Sequence, residues 1–125
     1  GDVELGDFVK IGNFVEIKKS KIDAHTNVCH LSYIGDSKLG ADVNIGAGTI
    51  TANYNHITKQ KSQTVIENNA STGSNSVLVA PVCIGENASV AAGSVISKDL
   101  EANSLGLTRA PLKVIKGWFD RCIKK

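Results

Sequence analysis

Aliphatic residues recur along this chain at a step of six. Leu5, Ile11 and Ile17 share one phase, Ile22, Val28 and Ile34 follow one residue short of register, and Leu39 and Ile45 resume after another such slip. Beyond an interruption the phase returns with Ile66, Thr72, Leu78, Ile84, Val90 and Ile96. Four residues after the aliphatic stands a small or β-branched residue: Val9, Val15, Thr26, Ser32, Val43 and Thr49 before the interruption, and Ala70, Ser76, Val82, Ala88 and Ser94 after it. A period of six fits neither an amphipathic helix nor a two-sided strand. It predicts a solenoid in which each hexapeptide is one short side of a triangular coil, with the aliphatic and the small residue both turned inward. One hexapeptide cannot bury its own face, so coils must stack, about 4.8 Å apart through parallel strand pairing. Glycine follows the aliphatic at Gly6, Gly12, Gly35, Gly40, Gly46 and Gly85. Its expected role is to relax the backbone at corners that need positive φ.

The interruption, about 53–63, reads NYNHITKQKSQ. It is polar and without period, so it is read as a loop leaving the coil wall, where function often concentrates. The β-helix is expected over 1–100 and a tail over 101–125. After Pro111 the stretch LKVIKGWFDRCIKK is a candidate short helix, weakened by Gly117. Trp118 and Phe119 need a surface to bury against, on the coil or on a neighbouring subunit. The fold class expected is all-β, a parallel β-helix with one extended loop and a short C-terminal tail or helix.

Composition narrows the function classes. At 125 residues the chain is one domain, and its 5% aromatic content suits repeated tight corners better than a bulky core. A net charge of +2 gives no nucleic-acid footprint. The densest basic stretch is Lys18, Lys19 and Lys21. Cys29, Cys83 and Cys122 make an odd number without CxxC spacing, which fits a reducing cytosol better than a disulfide scaffold or a zinc site. No apolar run is long enough to cross a bilayer. The chain opens on Gly1, inside a repeat, and is expected to be a fragment of a longer polypeptide.

Several segments are more specific than the hexapeptides, which many acyltransferases share. They are NFVEIKKSK, CHLSYIGD, NIGAGTITANYN, SNSVLVAPVCIG and AAGSVI, with a final GW. Together they resemble the C-terminal acetyltransferase domain of the GlmU family over nearly the whole chain. The resemblance implies a left-handed β-helix, although parallel crossovers are normally right-handed. It implies transfer of acetyl from acetyl-CoA to the amine of glucosamine-1-phosphate, within UDP-N-acetylglucosamine synthesis for bacterial cell wall and lipopolysaccharide. It further implies a cytoplasmic homotrimer that requires no metal for this half-reaction and neither binds nucleic acid nor inserts into membranes. On the same resemblance, the family's N-terminal uridyltransferase domain is expected to be absent from this fragment, and a family arginine that binds the sugar phosphate is expected before Gly1.

The candidate site residues follow from the same match. An attacking amine must lose a proton near neutral pH, which suits histidine. The resemblance makes His30 the general base, without an acyl-enzyme intermediate; otherwise His30 is an ordinary surface histidine. Cys29 beside it belongs to the coil wall. Glu16 is a candidate to orient His30 or hold the sugar, or is a solvated carboxylate. Lys18, Tyr33, Asn44, Asn53 and Lys59 match sugar-phosphate contacts. Lys61 is interchangeable with Lys59, because NYNH runs on with two extra residues where the family reads NYDG. Asn53 and Tyr54 match a pair that contacts donor and acceptor. Ala47, Ser74, Ala92 and Arg109 match acetyl-CoA positions. A backbone N–H near Ala47 and the Ser74 hydroxyl suit a developing oxyanion, and Arg109 suits coenzyme phosphates. Trp118 matches a tail tryptophan laid against a neighbouring subunit, or simply docks the tail. Three other readings compete: a hexapeptide acyltransferase with another acceptor, an inactive structural solenoid, and a zinc hydratase of the γ-carbonic-anhydrase type. The last needs three clustered histidines, and His25, His30 and His56 are not spaced for it.

Overall fold

The hexapeptides become the three walls of a triangular prism in the computed structural model, which describes residues 2–123. The first wall stacks Val3–Leu5, Ser20–Ile22, Ser37–Leu39, Thr64–Ile66 and Val82–Ile84. The second stacks Lys10–Asn13, Asn27–His30, Asn44–Ile45, Ser71–Thr72, Ser89–Val90 and Leu105–Gly106. The third stacks Glu16–Lys18, Tyr33–Gly35, Ile50–Ala52, Val77–Val79 and Val95–Ile96. All pairing within the walls is parallel.

The register explains the slips in the aliphatic phase. Lys10 pairs with Asn27 and Asn27 with Asn44, a coil of 17 residues. The third corner of these coils is one residue shorter than the other two. Asn44 pairs with Ser71, a step of 27 that contains the interruption. Ser71 then pairs with Ser89, a step of 18. Like therefore stacks on like: Ile22, Leu39, Ile66 and Ile84 form one column, all fully buried. The inward hydroxyls bond to coil backbone. Thr26 Oγ1 donates to Gly40 O at 2.7 Å and accepts from Val43 N at 3.1 Å; Ser76 Oγ donates to Gly73 O at 2.7 Å.

Four details differ from the reading of the sequence. The glycines that follow the aliphatics do not supply positive φ. That conformation falls two residues later at Phe8, Phe14, Asp42, Gly48 and Asn87, and one residue later at Asp36 after Gly35. The glycines are there because the next coil leaves no room for a Cβ. At Gly6 a Cβ would lie 2.8 Å from Ala24 N, at Gly85 2.6 Å from Ala102 N, and at Gly12 it would collide with the Cys29 carbonyl. The interruption is not shapeless: Tyr54–Asn55 and Gln60–Lys61 pair as an antiparallel hairpin, with Asn55 Oδ1 accepting from the N–H groups of Ile57 and Thr58. The coil continues past residue 100, since Leu105–Gly106 pairs with Ser89–Val90 and Thr108 Oγ1 accepts from Val95 N at 2.7 Å. Gly106 at the inward position hides this turn from a hydrophobic pattern. Finally, the tail helix is Trp118–Ile123, and Gly117 (φ 70) precedes it rather than interrupting it. The helix buries no residue against the prism, and Trp118 is 60% exposed. Cys29, Cys83 and Cys122 are free thiols.

Candidate functional site

The second corner of the prism, between the second and third walls, turns on a left-handed residue in every coil: Phe14, Leu31, Gly48, Asn75 and Gly93. The residue just before each turn stands at the prism edge. Those residues are Asn13, His30, Ala47, Ser74 and Ala92, and their carbonyls mark a single ladder. Asn13 O accepts from Leu31 N at 3.2 Å, His30 O from Gly48 N at 3.1 Å, Ala47 O from Asn75 N at 2.7 Å, and Ser74 O from Gly93 N at 2.8 Å. Arg109 Nε closes the ladder on Ala92 O at 3.2 Å. Five residues singled out from the sequence, scattered over 80 positions, thus fall on one edge in the order His30, Ala47, Ser74, Ala92, Arg109. At about 4.8 Å per coil, His30 and Ala92 are roughly 14 Å apart. The His30 side chain is exposed, and its backbone is held by Ser32 Oγ, which donates to His30 O at 2.8 Å. The Ala47 N–H engages no acceptor among the described residues.

A second cluster lies on the third wall. Lys18 pairs in register with Gly35, and Asp36 N donates to Lys18 O at 2.9 Å. The Tyr33 ring runs along this wall, so that its hydroxyl meets Asn53 from the next coil; Asn53 Nδ2 lies 3.2 Å from Tyr33 OH and 2.7 Å from Asp36 Oδ2. The hairpin rises from this point, tied down by Ser62 N donating to Asn53 O at 2.9 Å. Beside Asp36 is an open recess of about 250 Å³ lined by Lys19, Lys61, Ser62 and Gln63. Lys61 is therefore the loop lysine at this cluster, paired in register with Tyr54, whereas Lys59 (φ 63) occupies the hairpin turn. Asp36 was not singled out from the sequence, and Lys19 only as a member of the basic stretch with Lys18 and Lys21. Their signal was the short third corner, where each takes the left-handed position.

Other expected members are held apart. Glu16 pairs in register with Tyr33 on the third wall, and the coil neighbour of His30 is Asn13. No hydrogen bond joins Glu16 to His30 among the described residues. Asn44 starts a strand of the second wall, between Asn27 and Ser71. Trp118 is in the exposed tail helix. His25 stacks on Phe8 at the first corner with ring centroids 5.2 Å apart, and His56 is in the hairpin. No three metal-ligating side chains cluster among the described residues, and no helix there is long and apolar enough to cross a membrane.

Comparison with known proteins agrees with this architecture. The family profile described as "Bacterial transferase hexapeptide (six repeats)" matches residues 63–98. The protein named "Bifunctional protein GlmU" from Picosynechococcus sp. is 58% identical over 118 residues, covering 94% of this chain and 26% of its own length. The one from Saccharophagus degradans is 53% identical over 122 residues, covering 98% of this chain and 26% of its own length. Among solved structures, AntD, an N-acyltransferase from Bacillus cereus in complex with dTDP and 3-hydroxybutyryl-CoA, superposes with a TM-score of 0.72 at 18% identity, over 96% of this chain and 76% of its own. PerB from Caulobacter crescentus, in complex with CoA and GDP-perosamine, gives 0.63 at 18% identity, over 80% and 51%. These two share the β-helix fold. The chain is thus similar to GlmU proteins over nearly its whole length, carries a hexapeptide repeat, and spans about a quarter of the length of these curated relatives.

Proposed function

We propose that this chain carries an N-acetyltransferase site that moves the acetyl group of acetyl-CoA onto the amine of glucosamine-1-phosphate. The observation that supports this best is the edge ladder. Four positions expected to meet acetyl-CoA and one expected to take the proton share a single prism edge, in the order a long thioester lying along it would require. In this reading the amine nitrogen attacks the thioester carbonyl carbon, and His30 takes the proton released as the C–N bond forms. The carbonyl oxygen gains charge and is met by the unengaged Ala47 N–H and the Ser74 hydroxyl. The C–S bond then breaks, and the imidazolium returns its proton to the leaving thiolate. Ala92 leaves the wall low for the pantetheine arm, and Arg109 at the ladder's end faces the coenzyme phosphates. Lys18 and Lys61 supply point charges for the sugar phosphate.

The two halves of this site sit at opposite ends of the third wall, and Asn44 is on the second. This separation supports a site completed between copies of the chain, which we read as a homotrimer working in the cytoplasm, with Trp118 and the tail apolar residues packed on a neighbour. UDP-N-acetylglucosamine synthesis is the process this reaction would serve. The test is thiol release from acetyl-CoA with glucosamine-1-phosphate, on the wild-type chain and on His30→Ala. Release that requires the sugar phosphate and falls by roughly 10²- to 10⁴-fold in the variant is expected. Release indifferent to both would overturn the reading.

A further inference from the structure

The hydrogen-bonding sense of Asn53 is set by a residue to which the mechanism above gives no task. A primary amide has two N–H donors and one oxygen acceptor. Both donors of Asn53 are consumed, one by Asp36 Oδ2 at 2.7 Å and one by Tyr33 OH at 3.2 Å. A carboxylate can only accept, so turning the amide over would set Asn53 Oδ1 against Asp36 Oδ2. Partners decide which way an asparagine amide lies, and here the deciding partner is Asp36. Asn53 Oδ1 receives no donor among the described residues, and Tyr33, having accepted from Asn53, keeps its own O–H to give.

The surrounding backbone is shaped to hold this arrangement. A Cβ at Gly35 would collide with the Tyr33 hydroxyl and with Asn53 Nδ2, so only glycine there lets the three groups close together. Asp36 takes the left-handed position of the corner with φ 47, a conformation that Asp and Asn tolerate. Its N–H bonds Lys18 O at 2.9 Å in the coil before, and its carbonyl accepts from Thr64 N at 3.3 Å in the coil after. The backbone that carries the carboxylate is thus held from both sides.

We infer that Asp36 is a positioning residue that fixes Asn53 as a hydrogen-bond acceptor and Tyr33 as a donor toward the bound sugar phosphate. Asn53 Oδ1 receives an N–H of the acceptor amine, which orients the nitrogen for attack, and the Tyr33 O–H meets a neighbouring oxygen of the same sugar. This rests on the acetyl transfer proposed above. An acceptor without a donor at that point leaves Asn53 Oδ1 unpaired and is rejected.

Exchanging the two side chains separates this from a purely structural role. Asp36→Ala releases the amide, and kcat is expected to fall roughly 10- to 100-fold, the scale for a misplaced positioning group, with little change in KM for acetyl-CoA. Asn53→Asp sets two carboxylates face to face and is expected to be at least as damaging. In the double variant Asp36→Asn/Asn53→Asp the donor lies at 36, and residue 53 again presents an oxygen outward. Recovery of about 10-fold over Asn53→Asp is expected. A double variant that melts like the wild type yet stays as slow as Asn53→Asp would show that an outward oxygen held at residue 53 does not serve the reaction, and would overturn the inference while acetyl transfer stands. A wild-type chain that releases no thiol with any amino sugar phosphate would instead sink the proposed function. Independently of turnover, the two Asn53 side-chain amide protons are expected to be protected from exchange, and to lose that protection in Asp36→Ala. Equal exchange in both proteins would overturn the inference on its own.

Discussion

Thr64 Oγ1 is the one buried side-chain polar atom without a hydrogen-bond partner among the described residues. In the next coil the same inward position is Val82, also buried, so the wall accepts a purely apolar side chain there. An unsatisfied buried hydroxyl costs about 1–3 kcal/mol, and Thr64→Val is expected to raise stability by about 1 kcal/mol. Thr26 is the opposite case, because its hydroxyl both donates to Gly40 O and accepts from Val43 N. Thr26→Val strands both partners and is expected to lower stability by about 1–3 kcal/mol. Urea unfolding midpoints of the two variants should move in opposite directions. A Thr64→Val variant as destabilised as Thr26→Val would mean that the hydroxyl is satisfied in solution. Cys83 gives a second test at this scale. Burial pushes its thiol up, and the Glu67 carboxylate, 3.7 Å from Sγ, and Asp99 push it further. The thiolate is the reactive form, so alkylation of Cys83 at neutral pH is expected to be slower than that of exposed Cys122. Glu67→Gln should speed it; peptide mass spectrometry after timed iodoacetamide treatment reads both sites.

At the scale of the hexapeptide, glycine does two unrelated jobs that a sequence pattern runs together. Gly46 follows an aliphatic residue, and a Cβ there would lie 2.5 Å from Thr72 O and 2.7 Å from Ser74 N. Those atoms are backbone of the next coil and cannot give way without breaking the ladder. Gly93 stands at a corner with φ 72, and its Cβ position is empty. Asn75 fills the equivalent corner one coil earlier. Gly46→Ala is therefore expected to cost about 1–3 kcal/mol by overpacking, while Gly93→Asn, which keeps a residue at ease in the left-handed region, is expected to be near neutral. Thermal melts that ranked the two equally would contradict the assignment. The inward columns were legible from spacing alone, because burial follows the period of six whatever the neighbours are. The reason for the glycines was not, since it depends on where the following coil passes. Asp36 was hidden for the same reason: it stands in plain view in CHLSYIGD, but its partner Asn53 is a full coil further on. The hairpin escaped because strands of two residues carry no period, and the ladder from His30 to Arg109 needed the family match to pick out its small residues, which the repeat requires in any case.

The whole molecule is close to one-dimensional: each coil touches only the coils before and after it, so stability is approximately a sum over neighbours. At the far end Leu105–Gly106 covers the second wall, and Leu100 bridges to Ile84 on the first. The coil of residues 3–18 holds two phenylalanines, Phe8 and Phe14, in the left-handed conformation, where later corners carry Asn69, Asn75 and Asn87; the cost is about 1–2 kcal/mol for each phenylalanine. Local opening is therefore expected to be easiest at these strained corners. His30 sits in the next coil, paired with Asn13, so the proposed base is the part of the edge ladder nearest that strain. Native-state hydrogen exchange is expected to show amides of 10–18 opening at the lowest free energy, and those around Ile34, Ile66 and Ile84 opening last. Phe14 is 82% exposed and buries little. Phe14→Asn should relieve its strain and slow exchange in the first coil, and at Leu31 above it, without changing the middle of the prism. Uniform protection from Lys10 to Ile84, unmoved by Phe14→Asn, would mean that the prism opens as one unit and that His30 is as firmly held as Ala47 and Ser74 further along the edge.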